Sequence, residues 1–298
     1  MISARDIVKG LGGSWRGKSG TCRCPAHEDK SPSFSVSETR DGRPLVHCFA
    51  GCPQGNVIAA LKARGLWEGD GVKDPGYPQG FTRKHDSHTN GSDRRNHEFA
   101  RELWDRSDRI GGTVAEAYLV FRGIKPLWGW PDTLGYLPRL KHGPSGKVFP
   151  ALIAAVTDGA GQVLAVQRTW LAADGQGKAP VDSAKMTIGP MRDGAVRLGR
   201  PLTALGLAEG VETALSARQI YQIPTWATLS ANRLDKVKIP EGVQSITIFA
   251  DHGRVGMECA MNAADVYEAK GLTVEVMPPA VHFGDEAKDF NDALRARA

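Results

Sequence analysis

Two close pairs of soft ligands, Cys24-Pro25-Ala26-His27 and Cys48-Phe49-Ala50-Gly51-Cys52, constrain this chain more than any other feature. Such pairs at either end of a short segment suit a tetrahedral Zn²⁺ ion, which lets a small module fold around a poor apolar core. Zinc held by four protein ligands is structural, and modules of this kind commonly present a surface to nucleic acid. Cys24, His27, Cys48 and Cys52 are therefore the expected ligands, with Cys22 and His47 as competitors. Cys22 is separated from Cys24 by one residue, a tighter bite than the usual two to four. Four of the 5 cysteines fall in this N-terminal region, a metal pattern rather than a disulfide framework. Cys259 stands alone in a helical stretch and is expected as a small buried hydrophobe.

Around the ligands, Ser3 to Lys9 has a short helical pattern. Phe34–Ser37 and Leu45–Cys48 look like strands joined through Asp41-Gly42, a hairpin signal. After Cys52, Asn56 is a candidate cap for a helix carrying Val57, Ile58 and Leu61 and ending at Gly65. Gly12 to Ser19 satisfies the P-loop pattern G-x-x-x-x-G-K-[ST], but a P-loop follows a buried strand and opens a helix. Here a polar helical segment precedes it and cysteines follow, so Trp15, Arg16, Lys18 and Arg23 are expected instead to form a basic, aromatic edge suited to phosphates and bases.

The chain has 298 residues, 41% hydrophobic and 24% charged, enough for two or three units with a real core. A formal charge of +5 permits a polyanionic partner without demanding one. The start lacks an apolar signal region and no segment has the length of a membrane span, so no membrane partner and a cytoplasmic location are expected. Apolar residues thin out from Gly69 to Asn96, which marks a flexible linker. It separates a zinc module (1–68) from a middle region (97–200) and a last region (201–298).

The middle region opens with helical spacing at Phe99, Leu103 and Trp104, then at Ala115 to Phe121. Ala151–Val156 and Val163–Trp170 follow as a hairpin closed by Asp158-Gly159-Ala160-Gly161. Arg168 near the end of its second strand, with Lys178 and Lys185 beyond, is placed to hold triphosphate or template backbone. The last region alternates apolar strands (Thr203–Ala208, Trp226–Leu229, Ile246–Ala250, Leu272–Val276) with helices near Val211–Tyr221 and Gly256–Lys270. That alternation implies a parallel sheet. Glu209 and Asp251 then stand at strand C-termini, the edge where open α/β sheets bind ligands. With Asp289 and Asp292 arriving nearby they make a hard oxygen site for Mg²⁺.

Glu209-Gly210-Val211-Glu212, Phe249-Ala250-Asp251-His252-Gly253 and Lys288-Asp289-Phe290-Asn291-Asp292 resemble the three acidic motifs of a Toprim domain. The N-terminal module resembles the CHC2 zinc finger, and the whole chain is similar to phage and plasmid primases of the bacterial type. The resemblance implies an α/β and α+β multidomain fold: a zinc ribbon, a mixed α+β primase core over 97–200, and a Toprim domain with a Rossmann-like parallel sheet. It implies a DNA primase that makes short RNA primers, with Glu209, Asp251 and Asp289 as catalytic acids holding Mg²⁺ or Mn²⁺. Arg168, Lys178 and Lys185 look like the residues that contact nucleotide and template. Single-stranded DNA, ribonucleoside triphosphates and a separate replicative helicase are the implied partners. Two departures stand out. The last ligand pair is spaced C-x-x-x-C, which only lengthens a knuckle, and Gly253 occupies the place of a second acid, which removes a ligand and a charge. That substitution keeps open an inactive, zinc-dependent single-strand binding protein. A Toprim nuclease is a further alternative, whereas a topoisomerase would need a tyrosine module that none of the 5 tyrosines supplies.

Overall fold

The computed structural model describes residues 2–16, 19–29, 32–38, 43–48, 52, 54–67, 91–279 and 287–296. The chain divides into two compact units, Met1–Asp86 and Ser87–Ala298.

In the first unit, Ser3 caps α1 (Ala4–Gly10), its hydroxyl accepting from the Asp6 N–H at 3.1 Å. A four-stranded antiparallel sheet follows in chain order: β1 (Ser14–Arg16), β2 (Ser19–Cys22), β3 (Phe34–Glu38) and β4 (Pro44–Cys48). Ile7 and Val8 of α1 meet Phe34 and Val36 of β3 in a core completed by Val57 and Leu61 of α2 (Gln54–Ala63). This helix starts two residues before Asn56, so Asn56 lies inside it rather than capping it. The P-loop-like stretch spans the β1–β2 hairpin, where Arg16 pairs with Ser19. A strand returning to a strand offers no helix N-terminus to a phosphate, which removes the P-loop reading. Lys18 and the Asp41-Gly42 turn lie outside the described residues.

The second unit begins with α3 (Gly91–Asp105), so residues 91–96 of the expected linker are helical, and residues 68–90 lie outside the described residues. Ala100 and Leu103 are its buried stripe, while Phe99 falls off that stripe and is 39% exposed. Next come β5 (Asp108–Arg109), α4 (Val114–Phe121), β6 (Leu134–Lys141), β7 (Val148–Thr157), β8 (Val163–Trp170), β9 (Lys185–Ile188) and β10 (Ala195–Arg197). The chain continues through β11 (Ala204–Ala208), α5 (Val211–Tyr221), β12 (Thr225–Ala227), β13 (Ser245–Phe249), α6 (Arg254–Glu268), β14 (Thr273–Met277) and a last helix, α7 (Phe290–Arg295).

These strands form one sheet in the order β14-β13-β11-β12-β10-β7-β6-β5, with β8 beside β7 and β9 beside β8. β11 to β14 are parallel; β10 is antiparallel to both β12 and β7 and hands the sheet over to the antiparallel strands. The sheet thus crosses the change of pattern at Arg200-Pro201 without a break. Leu205 and Leu207 of β11 pack with Ala260, Ala263 and Tyr267 of α6 on one face. Ala208 faces the core shared with Tyr118, Val211, Phe249 and Phe290 on the other. Burial on both faces explains why β11 is a continuous apolar run instead of an alternating one.

Candidate functional site

In the first unit, the chain brings Cys24, His27, Cys48 and Cys52 together with all four ligand atoms within 4.8 Å of one another. His27 Nδ1 lies 3.1 Å from Cys52 Sγ and 3.9 Å from Cys48 Sγ, so Nδ1 is the ligand nitrogen. Asp29, which sequence reasoning missed, organises the knuckle. Its Oδ2 accepts from the Cys24 N–H at 2.7 Å and from Ser33 Oγ at 2.7 Å, and its Oδ1 lies 3.7 Å from His27 Nε2. A carboxylate facing the far ring nitrogen of a ligating histidine helps to orient the ring. Burial, with the neighbouring Cys48 and Cys52, pushes the Cys24 thiol up to about 12. A dication would reverse that penalty, and three cysteines with one histidine fit zinc. Cys22 stays outside the quartet, buried opposite Phe34 in the apolar core, and His47 is exposed on β4.

In the second unit, strand order reverses between two neighbours. The chain passes from β11 to β12 on one side and from β13 to β14 on the other, and such a switch point opens a crevice beyond the strand C-termini. Glu209 directly follows β11 and Asp251 stands two residues beyond β13, with Ala208 and Phe249 in register. The Glu209 carbonyl accepts from the Leu229 N–H at 2.8 Å, where Leu229 takes φ 66°. That left-handed residue ends the strand expected to run to 229 two residues early and turns the chain across the acidic edge.

Asp289 caps α7, its Oδ1 accepting from the Asn291 and Asp292 N–H groups at 2.8 Å each. Asn291 is buried and donates to the Arg122 carbonyl and Ser216 Oγ, both at 2.9 Å, which fastens the motif to the body of the unit. Burial, then the charges of Glu209 and Asp289, push the Asp251 carboxyl up to about 7. Burial also raises Glu209 against the pull of Lys185. Asp251 Oδ1 is buried without a hydrogen-bond partner. An orphaned oxygen among mutually repelling carboxylates fits a hard cation. Among the described residues only the cysteine–histidine quartet gathers three or more ligands closely, so the acidic edge is an open set. Openness suits Mg²⁺, which keeps several waters and uses one or two carboxylates plus substrate phosphates.

Glu212 does point inward but is already engaged. Its Oε1 accepts from Tyr118 Oη at 2.8 Å and Lys185 Nζ at 3.1 Å, and its Oε2 from Lys185 Nζ at 2.8 Å. Burial works against its charge, yet Lys185 prevails and holds the carboxyl down to about 2. Glu212 therefore cannot stand in for the acid missing at position 253. Lys178 is exposed and feels the charges of both Lys185 and Glu212. Arg168 departs from this group. It pairs with Met186 while Lys185 pairs with Thr169, which puts the two side chains on opposite faces, and Arg168 lies 5.2 Å over Trp170. Gly253 takes φ 128° and ψ 156° at the start of α6, a region open essentially to glycine alone.

Residues 9–66 match the CHC2 zinc finger, residues 204–298 the Toprim domain, and residues 94–198 a domain of unknown function (DUF7146). The chain thus carries a CHC2 zinc finger and a Toprim domain on either side of that middle domain. Among solved structures, this chain is similar to the zinc-binding and RNA polymerase domains of the Aquifex aeolicus primase, at 14% identity over 99% of this chain and 83% of that one, TM-score 0.43. It is also similar to the primase fragment of the bacteriophage T7 primase-helicase, at 18% identity over 50% of this chain, TM-score 0.38, and spans 59% of that fragment. A third is the RNA polymerase domain of the Mycobacterium tuberculosis primase, at 13% identity over 69% of this chain and 83% of that one, TM-score 0.39. No curated protein sequence matches significantly.

Proposed function

We propose that the chain synthesises short RNA primers on single-stranded DNA by metal-dependent nucleotidyl transfer. The observation that carries this reading is the placement of Glu209 and Asp251 on either side of the strand-order reversal, with a buried, unpartnered Asp251 oxygen whose carboxyl feels the charges of both Glu209 and Asp289. These three acids would hold Mg²⁺ or Mn²⁺, which when bound neutralises the triphosphate and the leaving pyrophosphate. An ammonium has three donors; Lys185 gives bonds to both Glu212 oxygens and retains one N–H for a phosphate. Tyr118 and Glu212 position that lysine, and Lys178 adds positive charge. The zinc module supplies the surface that handles template. Ribonucleoside triphosphates are the substrates, and duplex unwinding falls to a separate replicative helicase in the cytoplasm of a bacterial host or phage-infected cell. No described helix is long and apolar enough to cross a membrane.

Gly253 favours a second reading, a weakened polymerase that acts mainly as a zinc-dependent single-strand binding protein. Incubation with single-stranded template, NTPs and Mg²⁺ or Mn²⁺ separates the two. Primers whose yield falls at least about 100-fold in Glu209→Ala support synthesis, since that is the scale of losing one charge-stabilising group. Template binding without primers from either protein leaves the second reading, and strand cleavage in place of synthesis would make the chain a Toprim nuclease.

A further inference from the structure

A recess of about 640 Å³ opens at the other edge of the parallel strands, lined by Arg200 and Leu202 on the approach to β11 and by Pro240 and Gly242 on the approach to β13. Its size falls in the roughly 300–1,000 Å³ range of small-molecule sites. Five-residue strands put this edge about 15 Å from the acids at their C-termini.

Guanidinium–indole pairs build the walls. Arg197 and Trp226 pair across β10 and β12, with the guanidinium 4.5 Å over the ring. Arg218 lies 4.9 Å over Trp128 and donates from Nη1 to the Leu198 carbonyl, which fixes it in place. Arg197 Nε is buried with no hydrogen-bond partner. Arg200 is exposed at the rim, and Asp132 is the one acid in the lining. Three arginines against one aspartate give the recess a net positive charge.

The loop between α4 and β6 brings two indoles to the lining, Trp128 and Trp130. Gly129, between Trp128 and Trp130, takes φ 73°. Trp130 Nε1 donates to Glu116 Oε1 at 2.6 Å and anchors the loop, whereas Trp128 remains 53% exposed. An indole backed by an arginine and open on its far side is a stacking platform for any base. Planar guanidinium groups beside it match phosphate oxygens. Primer synthesis at the acidic edge uses none of these groups.

We propose that this recess binds a nucleotide unit, with its base stacked on Trp128 and its phosphate held by Arg197 and Arg200. The unit comes either from a free nucleoside triphosphate or from one residue of a single strand passing over the edge. The site needs no catalysis, so a chain that makes no primers still tests it. Fluorescence anisotropy on the zinc-loaded full chain, without Mg²⁺, would compare a labelled oligothymidylate with a labelled ATP for the parent, Trp128→Ala, Trp128→Phe, Arg200→Ser and, as a surface control, Lys147→Ser.

We expect Trp128→Ala to weaken at least one of the two ligands by at least about fivefold, the low end of the stacking contribution of one base. Trp128→Phe should recover most of that loss, because a smaller ring still stacks. Arg200→Ser should weaken the same ligand and lower its salt slope by about 1, with Lys147→Ser unchanged. Loss for the oligonucleotide alone identifies a single strand as the source, and loss for ATP alone identifies the free nucleotide. Binding of both ligands within twofold of the parent in Trp128→Ala and Arg200→Ser overturns the proposal, as does a parent that binds neither.

Discussion

The two candidate metal sites are built in opposite ways. In the quartet, ligands arrive in close sequence pairs, Cys24 with His27 and Cys48 with Cys52, and converge to within 4.8 Å. At the acidic edge, Glu209, Asp251 and Asp289 come from distant segments and meet only because strand order reverses between β11 and β13. The quartet reinforces the small apolar core of the first unit. The acids, by contrast, are a burden that an already folded sheet tolerates, visible in the raised Asp251 carboxyl and its orphaned oxygen. A metal that completes a fold and a metal that a fold awaits should therefore respond differently to removal.

The largest effect follows from the first case. Below about 70–80 residues a single apolar core rarely suffices, and structural zinc contributes on the order of 10 kcal/mol or more to such modules. Zinc chelation or Cys48→Ser should unfold the first unit, seen as rapid proteolysis within residues 2–67, while residues 91–296 stay resistant and keep their thermal transition. Simultaneous loss of both units would break the contrast.

A smaller effect is expected where the second unit does depend on charge. Glu212 is buried and Lys185 retains 29% side-chain exposure, so Lys185→Met leaves a buried carboxylate short of its cation. The expected loss is about 3 kcal/mol, the lower end for a broken buried pair because Lys185 is partly solvated. Denaturant unfolding of Lys185→Met, Glu212→Gln and the double variant measures it. A double variant no more stable than Lys185→Met alone would show that the unpaired Glu212 carboxylate is not the source of the loss.

The same contrast decides what was legible in the sequence. Ligand spacing exposed the quartet, and apolar runs ending in Glu209 and Asp251 exposed the acidic edge, because both signals are local. Asp29 and Tyr118 carried no such signal: the first acts through a backbone N–H and a histidine edge, the second through a carboxylate 94 residues away in sequence. Arg168 was grouped with Lys185 as a basic residue, and only the strand register showed that their side chains leave opposite faces. The α/β alternation predicted the parallel strands, but β10 was too short to announce that it joins them to the antiparallel half.

Gly253 gives the smallest and sharpest test of the open site. If a carboxylate were merely missing there, Gly253→Asp would restore it, and Mg²⁺ would raise the melting temperature of the variant more than that of the parent. The backbone argues otherwise. At φ 128° an added Cβ meets nothing within 4 Å, so the penalty is torsional rather than steric. Gly253→Ala and Gly253→Asp should then lose similar stability, about 1–3 kcal/mol. Because the turn has been shaped around glycine, a new carboxylate reaches the cation only by rebuilding the start of α6, and Mg²⁺ should not separate the two variants. A Mg²⁺-dependent stabilisation confined to Gly253→Asp, accompanied by a gain in primer yield, would show instead that the edge still has the geometry of a second acid.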